Sequence, residues 1–322
     1  MNLTFREARE HDFPRCWELF AIYKPAYEAR TWAAIPALWE QLTEENVMSF
    51  FVVEDADAPP KETVVAFSNI VFVEPSFIEE LKTTLPPFVG AQLLTRILDN
   101  RSPVLDEDAI ARGNAGSGLS TIVPQGTTVF QGFAPVEVHA ISSMLMDAFQ
   151  WAIRGYRLAE LLLDPYGNDA LQFMLRSGMR LRRDYADFYQ AAGVPAPPDN
   201  VRPYLMSITE SEAHENYGHW ITQHFAYSPP CFDLRRSQRR LLQHALRGDT
   251  DEELAAALGI SPHTVKKMWQ DIYAKVAESN PTLLPQPLVD GDSDQRRGSE
   301  RRRRLLQYVR QHPVEIRPYL KR

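Results

Sequence analysis

The period of the apolar positions changes along the chain, and with it the predicted element. "NLTFREA" alternates apolar and polar residues and predicts a strand, followed by a helix from His11 to about Tyr23 and a second over "TWAAIPALWEQLTEEN". "MSFFVVED" and "TVVAFSNIVFV" predict two strands, with the proline-containing "DADAPPKE" turning between them. Helices are expected near "IEELKTTL" and "GAQLLTRILD", and the polar, glycine-bearing "DEDAIARGNAGSG" is expected to be a loop. Next come a strand "LSTIVPQ", a long apolar helix "AISSMLMDAFQWAIRG", a strand "LAELLLD", a helix "NDALQFMLRSG" and a strand "RRDYADFYQ", with "YLMSITES" as one further strand. Strands alternating with helices predict an α/β N-terminal domain, a sheet covered by helices.

From Asp233 onward the period is helical throughout. Leu234, Leu241, Leu242, Ala245 and Leu246 line a first helix that ends at Gly248. A second begins at Asp249 or Thr250, carries Glu252 and Glu253 in its opening turn, and buries Leu254, Ala255 and Leu258. Gly259 supplies a residue that tolerates positive φ, Ser261 caps a third helix, and Pro262 sits at its first position. Val265, Met268 or Trp269, Ile272 and Val276 form that helix's inward stripe, which turns His263, Lys266, Lys267 and Gln270 outward. Amide and ammonium donors on the N-terminal half of a helix set off by a short turn fit the DNA major groove.

The proline-rich "AAGVPAPPDNVRP" and "AYSPPCFD" mark boundaries. They divide the chain into an α/β domain over 1–210, a linker over 211–232, an all-α domain over 233–277 and a basic, partly helical tail over 278–322. In the tail, "DQRRGSERRRRLLQYVRQHP" predicts a helix capped at Ser299 and stopped at Pro313. Its Arg301, Arg302, Arg303 and Arg304 either hold DNA phosphates or form a solvated basic face.

Charge sharpens this division. The net charge is -7, but from Asp233 onward 18 Lys and Arg stand against 12 Asp and Glu, leaving the acid excess to the preceding part. The C-terminal part is therefore the one suited to a polyanion such as double-stranded DNA. The two cysteines, Cys16 and Cys231, have no CxxC spacing, and His214, His219 and His224 in "HENYGHWITQHF" stand five apart where a helical zinc site wants i and i+4, so no metal is expected. No secretory signal or membrane span is expected, which makes the expected location cytoplasmic, at the nucleoid.

The C-terminal stretch resembles the LuxR/GerE-type helix-turn-helix of bacterial transcription regulators at Leu234, Leu242, Ala245, Gly248, Glu253-Leu254-Ala255, Leu258, Ile260-Ser261, Thr264-Val265-Lys266, Ile272 and Lys275-Val276. The resemblance implies base reading by Lys266, Lys267 and Gln270, with phosphate contact from Thr264 and helix-start neighbours including Ser261 and His263. It departs from the family at Ser237-Gln238, where Arg-Glu is usual, at Met268, where histidine is usual, and in lacking an evident fourth helix, through which the family dimerises.

The opening "REAREHDF" and "GYRLAELLLDPYGNDALQFMLRSGM" resemble the GNAT acyltransferase superfamily over about residues 1 to 210. In that family the acyl-CoA pyrophosphate rests on backbone N–H groups at the start of the central helix. The matching positions run from Glu137 through Val138, His139, Ala140 and Ile141 to Ser142; the family's glycines are Ala140 and Ser142 here, and Glu137 is acidic. Met174 stands where the family's general-acid tyrosine would be. The resemblance therefore implies a cleft between splayed strands in a domain whose chemistry is lost or altered, with Val138, His139, Ala140, Ser142 and Asn168 as the candidate ligand positions. Acyl-CoA or a CoA-like effector is the candidate ligand; a structural or homodimerising domain is the other reading. The function expected is a DNA-binding regulator, and its rival an active N-acyltransferase.

Overall fold

The computed structural model describes residues 1–127, 132–216, 218–284 and 294–320. They divide into two units: 1–153 with 157–226, and 154–156 with 227–322.

The first unit opens with β1 (Leu3–Glu7), α1 (Phe13–Phe20) and α2 (Ala29–Glu44), then β2 (Met48–Asp55) and β3 (Val64–Val73). Three helices follow before the next strand: α3 (Pro75–Thr83), α4 (Val89–Leu98) and α5 (Glu107–Ala115). Then come β4 (Leu119–Gly126), α6 (Pro135–Ile153), β5 (Leu158–Leu163), α7 (Asn168–Arg176), β6 (Arg180–Arg183), α8 (Ala186–Ala192), β7 (Leu205–Thr209) and α9 (Glu210–Glu215). The strands form one sheet in the order β1-β2-β3-β4-β5-β7-β6. Every neighbouring pair is antiparallel except β4 and β5, which run parallel. A mixed seven-stranded sheet with helices is the α/β architecture expected for this part of the chain. Trp39, Phe67, Phe77, Ile35, Leu81 and Leu93 pack the core between the sheet and α1 to α4.

Two elements differ from the sequence reading. "DEDAIARGNAGSG" is the helix α5, not a loop: the Asp106 carboxylate accepts the Ala109 N–H at 2.7 Å, and Ile110 and Ala111 are buried. Gly113 serves close packing there, since a Cβ would meet Leu119 Cδ2 at 2.4 Å. The strand expected over "RRDYADFYQ" ends at Arg183; Tyr185 takes a left-handed φ of 58°, its ring is buried under the Arg183 guanidinium, and the chain continues as α8. "YLMSITES" does add a strand, β7, inserted between β5 and β6.

The second unit contains α10 (Arg236–Leu246), α11 (Asp251–Leu258), α12 (Pro262–Ser279) and α13 (Asp294–Gln311). The helix α13 begins ahead of Ser299, and its Leu305 and Val309 are fully buried with Leu241, Leu242, Leu254, Val265 and Ile272. The arginine-rich tail is thus a fourth helix of this core. Residues 285–293, between α12 and α13, lie outside the described residues, as do 128–131, between β4 and α6. Among the described residues no helix is long and apolar enough to cross a membrane.

Candidate functional site

The helix-turn-helix segment is built from local rules. Thr250 caps α11: its hydroxyl accepts the Glu253 N–H, and the Glu253 carboxylate accepts the Thr250 N–H at 2.7 Å. Gly259 ends α11 at a φ of 64°, and the Ile260 N–H reaches back to the Ala255 carbonyl at 3.0 Å. Ser261 Oγ then accepts the Thr264 N–H at 3.1 Å, and Pro262 stands at the first helical position of α12. Only three residues separate the two helices.

Along α12, Val265, Trp269, Ile272 and Val276 are buried, so of the two candidates for the inward stripe it is Trp269 that faces the core; Met268 is half-buried. His263, Lys266, Lys267 and Gln270 are all exposed and recur at spacings of three and four, so their side chains share one face. Ser261 is exposed and Thr264 half-buried, and their hydroxyls lie 2.9 Å apart in a mutual hydrogen bond. Gln238, where the sequence departs from the resembled family, accepts the Arg235 N–H at 2.9 Å and so caps the start of α10 from its third position, the work a glutamate would do there.

The four tail arginines are not equivalent. Arg302 is turned inward: it donates to Asp251 Oδ1 at 2.7 Å and to the Asp249 carbonyl at 3.0 Å, and its guanidinium lies 4.7 Å from the Trp269 ring centroid. These bonds engage both terminal nitrogens of the Arg302 guanidinium within the protein. Arg303 and Arg304 both pair with Glu300, whose carboxyl they hold down at about 2. Arg301 is half-buried.

In the sheet unit, the candidate ligand positions Val138, His139, Ala140 and Ser142 do not form a loop; they lie in the first turns of α6. Val138 donates its N–H to the Ala134 carbonyl at 3.0 Å, Pro135 has no N–H to offer, and the Glu137 carboxylate accepts the Ala134 N–H at 2.8 Å. A side-chain carboxylate of the protein thus already sits at this helix start. Asn168 is exposed at the start of α7 and uses its N–H on the Asp199 carbonyl at 2.9 Å. Met174 is half-buried within α7.

The strand β4 outruns β5. Their pairing stops at Ile122 opposite Leu162, whereas β4 continues to Gly126. The first turn of α4 fills the space beyond. Gly90 lies against β4 so closely that a Cβ would sit 2.1 Å from the Pro124 oxygen and 2.7 Å from the Tyr27 hydroxyl. Val89 donates its N–H to Asp164, the residue after β5, at 2.9 Å. Burial pushes the Asp164 carboxyl up to about 7, although the Val89 N–H and the Tyr166 hydroxyl both donate to it. Around it, Gln125 accepts from Trp39 Nε1 at 2.6 Å and from Asn69 at 3.2 Å, and Tyr166 stacks on Phe88. No sequence signal marks this arrangement: Gly90 and Asp164 carry no motif, and only the fold brings them to one place. His224, singled out among the histidines, is half-buried with its ring edge-on to Phe149 and Trp220, and desolvation lowers it to about 4.

No protein-family model matches the chain, and no curated protein matches it. Solved structures do. One is a histone acetyltransferase and related acetyltransferase of Corynebacterium glutamicum, at 13% identity over 64% of this chain and 96% of that one, with a TM-score of 0.36. Another is the spermidine/spermine N-acetyltransferase of Vibrio cholerae, at 12% identity over 67% of this chain and 99% of that one, TM-score 0.37. A third is the NatC complex bound to Gag peptide and CoA, at 8% identity over 65% and 99%, TM-score 0.36. Likenesses this faint carry no argument about activity.

Proposed function

We propose that the chain is a sequence-specific DNA-binding regulator whose helix α12 reads base edges, joined to a GNAT-like domain that senses a small-molecule effector or dimerises and does not catalyse. The observation that carries this reading is the shared exposed face of Lys266, Lys267 and Gln270, on a helix started by a cap, a proline and a three-residue turn. Two ammonium groups and a carboxamide side by side match the acceptors and donors of the major groove, while Ser261, His263 and Thr264 lie at the end that meets phosphates. A homodimer would place two such helices about 34 Å apart, one turn of DNA. Retardation of genomic DNA fragments at two stated salt concentrations tests the reading; loss of all retardation except at low salt would reject it.

The second reading is an N-acyltransferase using acyl-CoA, with the helical unit as an accessory. It is favoured by the resemblance of "REAREHDF" and "GYRLAELLLDPYGNDALQFMLRSGM" to the GNAT acyltransferase superfamily and by the mixed sheet with helices that this part of the chain forms. It would require the ligand to displace the Glu137 carboxylate from the start of α6 and the first turn of α4 from between β4 and β5. Saturable binding of acyl-CoA with release of CoA would establish it; binding without turnover fits an effector of the regulator.

A further inference from the structure

The run Arg301 to Arg304 reads as one basic patch, yet Arg302 makes three contacts of a different kind. Its guanidinium bridges the Asp251 carboxylate in the first turn of α11 and the Asp249 carbonyl just before it, at 2.7 and 3.0 Å. The same planar group covers the Trp269 ring at 4.7 Å, and Trp269 is the buried residue of α12 between Lys266 and Gln270. One side chain of α13 thus touches both arms of the hairpin that presents the reading face. Arginine suits this work because its fork can donate in two directions while its flat face stacks, whereas lysine offers a point charge that can do only one of these at a time.

We propose that Arg302 is a positioning residue: it holds α11 and α12 at the angle that lets Lys266, Lys267 and Gln270 enter the groove together, and it does not itself contact DNA. The proposal rests on the DNA-reading function above. It makes α13 a clamp on the reading hairpin, so the tail contributes to specificity through the protein and not through phosphate.

The test compares the full chain with Arg302→Ala and Arg302→Lys. The wild type first enriches sequences from a random duplex library, and each protein is then titrated with the enriched duplex and a scrambled one over a range of salt. A positioning role predicts that Arg302→Ala lowers the affinity ratio between the two duplexes by about tenfold or more, leaves the salt dependence on scrambled DNA unchanged, and is not rescued by Arg302→Lys. Trp269 is the one tryptophan of the helical unit, so its emission should change in both variants. Equal loss on both duplexes, a salt slope reduced by about one and rescue by lysine would make Arg302 a phosphate contact and overturn the proposal. If Arg302→Ala does not fold, Asp251→Asn removes only the ion pair and should lower the same ratio; an unchanged ratio overturns the clamp. A wild type that enriches no sequence overturns the DNA-reading function and this inference with it, whereas enrichment with unaltered ratios in the variants overturns the inference alone.

Discussion

The backbone N–H of Val89 donates to the carboxylate of Asp164 at 2.9 Å, joining the start of α4 to the end of β5 where the β4–β5 pairing ends. A buried carboxylate in this position does two things: it caps a helix and it ties that helix to the sheet. Both have measurable consequences.

Asp164 should make stability depend on pH in a definite direction. Burial raises its carboxyl to about 7 in the folded chain, against 3.8 for the ordinary group. Between those values the folded state binds more protons than the unfolded one, so stability should fall as pH rises from about 4 to about 7 and level off above, by about 4 kcal/mol at most. Asp164→Asn keeps an oxygen acceptor for Val89 and cannot ionise, so urea unfolding at several pH values should show that part of the slope gone. Asp164→Ala removes the acceptor, leaving the Val89 N–H unpaired, and should destabilise by about 1 to 3 kcal/mol at low pH.

Gly90→Ala should invert the usual effect of that substitution. An exposed helical glycine replaced by alanine gains about 1 kcal/mol. Here the new methyl would meet the Pro124 carbonyl at 2.1 Å, a backbone atom held in the sheet, so α4 must move. A loss of about 3 kcal/mol is expected by thermal unfolding, together with faster amide exchange over 89–98. Unchanged exchange with unchanged stability would mean that α4 does not pack this closely on β4.

These two residues also show where sequence reading stops. The long strands β2 and β3 were legible because their apolar runs have one reading, and α12 because its cap, proline and inward stripe are all local. The helix α5 was missed because Gly113 and Gly116 look like flexibility, whereas Gly113 is there for the approach of Leu119. Nothing in "GAQLLTRILD" says that its glycine touches a proline carbonyl more than thirty residues later, or that its first N–H is capped from the far side of the sheet. That Lys266, Lys267 and Gln270 share one exposed face is legible, since a helix fixes that by period alone; the inward turn of Arg302 is not, because an arginine run has no period that singles it out.

Lys266→Ala, Lys267→Ala and Gln270→Ala should each weaken the enriched duplex by about 1 to 3 kcal/mol while affecting scrambled DNA less. The two lysines lie on α12 without burial, so melting temperatures should stay within about 2 °C of wild type. A uniform loss on every duplex would assign these side chains to phosphate and not to base edges.

Glu137 decides between the two readings of the sheet unit. Its carboxylate accepts the Ala134 N–H at 2.8 Å and places negative charge at the start of α6. A pyrophosphate seated on that helix start would have to displace it against like-charge repulsion, so Glu137→Gln should tighten CoA by about tenfold, on the order of 1.4 kcal/mol, if the ligand binds there. The same substitution leaves a neutral acceptor for the cap and should alter stability little. Calorimetric titration of both proteins with CoA measures the difference. Equal affinity in the two would place any CoA site away from α6, and tightening accompanied by acyl transfer would favour the enzyme over the sensor.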